Sequence, residues 1–100
     1  MPSLSAVESQ LWGRAKGSAA DFGFAPDCEG LVKVMMKKAA LRLEAEGYLD
    51  DPDRLAVAET NVELFISEMI LEAKRLGYSE LHEDTLAAAM SRLCPLWPIC

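Results

Sequence analysis

One hundred residues make one domain rather than two, and 51% hydrophobic with 26% charged residues is the profile of a folded chain, not a disordered one. A net charge of −6 repels phosphate backbones, which disfavours nucleic acid, and would steer a basic partner. The apolar runs fall far short of the ~20 residues that cross a bilayer and no secretory signal opens the sequence, so no membrane contact and a cytoplasmic location are expected.

The first helix is expected over about residues 4–20. Ser5 and Glu8 have the spacing of a capping box. Leu4, Leu11, Trp12, Ala15, Ala19 and Phe22 fall near one side of it. Gly13 and Gly17 each cost about 1 kcal/mol relative to alanine, so this helix should be the least stable or depend on packing. Trp12 reads as a core anchor. A turn follows over 22–26, FGFAP, where Gly23 permits unusual backbone angles and Pro26 biases Ala25 away from helix.

Asp27 is a good N-cap for a second helix over about 27–46, stopped by Gly47. Val32, Met35, Met36, Ala39 and Leu43 form its main apolar face. Val34, Leu41 and Ala45 form a second, and a helix with two apolar faces should lie sandwiched between two neighbours. Lys33, Lys37, Lys38 and Arg42 make a basic patch. With no glycine-rich loop or interleaved aromatics, it reads first as a solvated face and second as a weak site for nucleic acid or phosphate. The short link from Gly47 to Asp51 should turn the two long helices back against each other, antiparallel.

The third helix, over 52–76, has the clearest pattern. Asp51 can cap it, Pro52 suits its first position, Lys74 and Arg75 suit its last turn, and Gly77 can end it. Leu55, Ala58, Val62, Phe65, Ile66, Met69, Ala73 and Leu76 recur at steps of three and four, which places them on one face. Val57, Leu64 and Leu71, one heptad apart, form a narrow seam on the opposite face. Either another helix of the chain covers that seam or a second chain does.

A fourth helix should run over about 82–93, with Leu86, Ala89, Met90 and Leu93 apolar. His82, at its start, reads as an exposed or capping residue. Both long helices end in Gly-Tyr before an acidic turn, which reads as two similar capping solutions. The tail 94–100, CPLWPIC, is irregular because of its prolines, and Trp97 and Ile99 should fold back over the bundle or dock in a partner. Cys28, Cys94 and Cys100 match no zinc or redox spacing and are expected as reduced thiols.

The stretch FISEMILEAKRLGYSELHEDTLAAAM, residues 65–90, resembles the histone fold in its order of long helix, loop and short helix opening with His-Glu-Asp. The resemblance covers about a quarter of the chain and lacks that fold's arginine-rich DNA-contacting loops. It implies only that hydrophobic helices pair between two chains.

The expectation is an all-α single domain, an orthogonal or up-down bundle of about four helices around the long central helix 52–76. Its expected role is that of an acidic, non-catalytic module without a cofactor or metal. It would bind a protein, including its own copy as a homodimer, through Val57, Leu64, Leu71 and Trp97. The alternatives are small-molecule or metal binding through Cys28, Cys94, Cys100 and His82, and weak nucleic-acid binding through the basic patch.

Overall fold

A computed structural model of the chain describes residues 3–93 and 96–99. Among them α1 spans Leu4–Ser18, α2 Pro26–Ala45, α3 Pro52–Arg75 and α4 Glu83–Arg92. The chain is therefore an all-α single domain, and each helix lies within one or two residues of its expected ends.

Local chemistry sets those ends. Ser3, not Ser5, caps α1: its Oγ accepts from the Ala6 N–H at 3.1 Å. The residue three positions on is then an alanine, so the reciprocal half of a capping box is absent. At α3 the Asp51 carboxylate accepts from the Asp53 and Arg54 N–H groups at 3.0 and 3.1 Å, as expected.

The two long helices close in the same way. Gly47 and Gly77 take φ of +79° and +84°, a region open to glycine at no steric cost. The Tyr48 and Tyr78 N–H groups then reach back to the Leu43 and Ala73 carbonyls at 2.8 and 2.9 Å, the 6→1 bond of a Schellman cap. The repeated Gly-Tyr is a capping device used twice.

Asp27 does not cap α2. Pro26 takes the first helical position, and the N-cap is Ala25, which has no acceptor on its side chain. The reason lies in the loops. The α1–α2 and α3–α4 loops pair through one parallel bridge between Phe24 and Leu81, with Ala25 N–H to the Leu81 carbonyl at 2.7 Å and Leu81 N–H to the Gly23 carbonyl at 3.0 Å. This pairing sets the starts of α2 and α4 side by side, and the Asp27 carboxylate accepts from the Glu83 N–H of α4 at 3.4 Å.

Packing corrects the expected pairing of the two long helices. α1 lies against both α2 and α3, and α4 lies against α3 and α2. The expected face-to-face pair of α2 and α3 does not form, because α1 occupies the space between them. The short link joins only their neighbouring ends. Val7, Leu11 and Ala15 of α1 are fully buried among Met36 and Leu43 of α2 and Ile66 and Met69 of α3. The helix expected to be the least stable or to depend on packing is thus the one on which both long helices pack. Its two glycines are offset by that burial, since each large side chain buried is worth about 1.5–3 kcal/mol.

One charged residue also lies in this interface. Glu59 sits on α3 with its side chain 12% exposed. Gln10 donates to its Oε1, and Arg14 reaches its Oε2 at 2.9 Å and Glu63 at 3.1 Å.

Candidate functional site

Each α3 residue turns the helix by about 100°, so Val57, Leu64 and Leu71 fall within about 40° of one another. They stand opposite the buried Val62, Ile66 and Met69. Their exposures are 45%, 50% and 60%, against zero for those three core residues. Among the described residues no helix covers the seam, so the intrachain cover allowed for in the sequence is not found there. The cause is α1: it sits on the core side, and α4, with ten residues, is too short to wrap around α3. Polar Thr60, Ser67 and Glu68 separate the three apolar side chains.

Trp97 is not on this surface. The described part of the tail folds back at the α2–α3 turn, where the Trp97 ring is half-buried. Its indole N–H donates to Glu46 Oε2 at 3.1 Å, and its backbone carbonyl accepts from Asn61 Nδ2 at 2.5 Å. The ring meets Tyr48 edge-on at 6.1 Å, and the Arg54 guanidinium lies 4.9 Å from the Tyr48 ring and 5.8 Å from the Trp97 ring. The indole hydrogen bond, and after it that of Arg42, holds the Glu46 carboxyl below its ordinary value.

The basic patch is divided. Lys33 pairs with Glu29 at 3.1 Å and lies 5.2 Å above the Trp12 ring; Arg42 pairs with Glu46 at 2.9 Å. Lys37 and Lys38 are exposed and make no ion pair among the described residues, but a step of about 100° separates them around α2. Trp12 itself is half-buried and stacks on Phe24 at 5.5 Å.

The second apolar face of α2 is also uncovered. Val34 is 50% and Leu41 41% exposed, rather than sandwiched. α4 crosses only part of α2, leaving a groove of about 310 Å³ that includes Leu31, Val34, Leu86 and Met90. The periodicity of α2 contained this signal, but an apolar residue reads the same whether a neighbour covers it or not.

The proposed cysteine and histidine chemistry is only partly within view. Cys28 is fully buried, and burial, with Asp27 and Glu83 behind it, pushes its thiol up to about 11. A thiol protonated at neutral pH is a poor nucleophile and a poor ligand. His82 lies against the Tyr78 ring, with Nδ1 3.8 Å from Asp27. Cys94 and Cys100 lie outside the described residues. Among the described residues, no three His, Cys, Asp or Glu side chains gather as a metal site, and no helix is long and apolar enough to cross a membrane.

Compared with protein-family models, with curated proteins and with solved structures, the chain matches none. The long helix, loop and short helix expected over 65–90 are present. The loop between them pairs with another loop of the same chain, through Leu81 and Phe24.

Proposed function

We propose that the protein is an acidic, non-catalytic helical module that acts by binding protein through the outer face of α3, and that it associates with its own copy. The observation that carries this reading is the exposure of Val57, Leu64 and Leu71, in register, on the face turned away from the core. Solvent-facing leucines scattered singly need no explanation, but these three, at heptad spacing, line up along one side of the helix.

The magnitudes favour a weak complex. Each seam side chain is about half exposed, so covering all six across two copies recovers about 5–9 kcal/mol. Association costs about 4–15 kcal/mol in lost freedom, so pairing should appear only at high concentration. Catalysis or metal binding at Cys28 and His82 has less support, because the Cys28 thiol is held protonated. Nucleic-acid binding has less support because the basic patch is divided and the net charge is −6.

A dilution series followed by methyl NMR tests the surface. The Val57, Leu64 and Leu71 resonances should move with concentration while those of Val62 and Ile66 stay fixed. Shifts confined to Val34, Leu41 and Met90 would instead place self-association on the α2–α4 groove.

A further inference from the structure

We propose that the second copy packs its α3 antiparallel against the first, about a two-fold axis at Leu64. This rests on the reading that the seam is an interface, and adds its direction and register.

Three observations support the arrangement. First, the seam is symmetric in sequence: Val57 and Leu71 lie equally far from Leu64. An antiparallel copy therefore sets Leu64 on Leu64 and each Val57 on a Leu71 of the other copy. Such a contact uses the same patch twice and closes on itself as a dimer.

Second, the two ends of the seam differ in charge. The N-terminal end carries Asp50, Asp51 and Asp53 against Arg54. The C-terminal end carries Lys74, Arg75 and, from α4, Arg92, against Glu68 and Glu72. Both arginines share Glu72, at 2.5 and 3.3 Å. Asp53 and Arg75 are equidistant from Leu64, so the antiparallel copy sets one opposite the other at both ends. A parallel copy would set acid on acid and base on base, which is destabilising. The remaining like pair, Arg54 opposite Lys74, is relieved because the Arg54 guanidinium is drawn over the Tyr48 ring at 4.9 Å.

Third, the basic end is hollow. A cleft of about 260 Å³ beside Leu71 also includes Ala89 and Leu93, with Glu68 and Glu72 as well as Arg75 and Arg92 at its polar edge. Its apolar part offers a recess for Val57 of the second copy, and Asp53 would share the two guanidinium groups with Glu72.

Cysteine cross-linking decides the direction. In a chain carrying Cys28→Ala, Cys94→Ser and Cys100→Ser, one cysteine is placed at position 57, 64 or 71. All three positions are about half exposed, so the fold tolerates the change, and circular dichroism checks it. On oxidation at high concentration, Leu64→Cys should link to itself. Val57→Cys and Leu71→Cys should link with each other when mixed, and at least tenfold less with themselves. Self-linking of Val57→Cys would overturn the antiparallel arrangement while leaving the seam as the interface. A sample of dimeric mass in which no variant links would place the interface elsewhere. A monomeric mass throughout would overturn this arrangement and the proposed self-association together.

Discussion

Glu46 and Trp97 form a contact that a linear reading of the chain does not disclose, since they stand 51 positions apart. The tail was expected either to fold back or to dock in a partner, and the indole hydrogen bond joins the Asn61 bond and the burial of Pro98 in holding its described part on the bundle. Glu46 is held below its ordinary value of 4.5, chiefly by the indole bond. A depressed carboxyl favours the docked state above pH 4.5, and that contribution is lost as pH falls through the lower folded value. In a Trp12→Phe variant, Trp97 emission should therefore shift to the red below pH 4.5. Glu46→Gln should remove the pH dependence, and a flat emission profile in the parent would show that the carboxylate does not hold the ring. Asp27 and Glu59 show the same limit of local reading. Asp27 looked like an N-cap for its own helix, but its acceptor role is used by Glu83, 56 positions on. Glu59 carries no local signal of its place in the α1–α3 interface, which its partners Gln10 and Arg14, 49 and 45 positions away, account for.

The helices themselves were legible because their signals are local. Pro52 after Asp51, Gly47 and Gly77 before tyrosines, and the three-four spacing from Ala58 to Ala73 each act within a turn or two. How the helices pack was not legible, because it depends on contacts between distant segments; the glycines of α1 signal a dependence on packing but not that both long helices supply it. Its glycines should still matter. A Cβ at Gly13 meets nothing within 4 Å, so Gly13→Ala should stabilise the protein by about 0.5–1 kcal/mol through helix propensity. Gly47→Ala has equally open space but a φ of +79°, and should destabilise by about 1–2 kcal/mol. Urea denaturation of the two variants should give shifts of opposite sign; shifts of the same sign would contradict these assignments.

At the scale of the whole molecule, the arrangement leaves two apolar stripes uncovered among the described residues. α1 fills the space between α2 and α3, so the outer faces of both long helices turn to solvent. The Val57–Leu64–Leu71 stripe was visible in the sequence as a heptad, but whether the chain covered it depended on where α1 and the tail settled. Trp97, grouped with the seam on composition alone, belongs to a separate contact at the α2–α3 turn. A net charge of −6 opposes association at low ionic strength, and the opposed ends of α3 reduce that repulsion locally for one direction of pairing. The central claim is self-association through the outer face of α3, and light scattering across a concentration series tests it directly. The parent chain should rise from a mass of 11.0 kDa toward that of two chains as concentration increases, whereas Leu64→Glu, at a half-exposed position and with unchanged thermal stability, should stay at 11.0 kDa. A parent chain that remains at the single-chain mass at millimolar concentration, with Leu64→Glu altering neither mass nor stability, would contradict it.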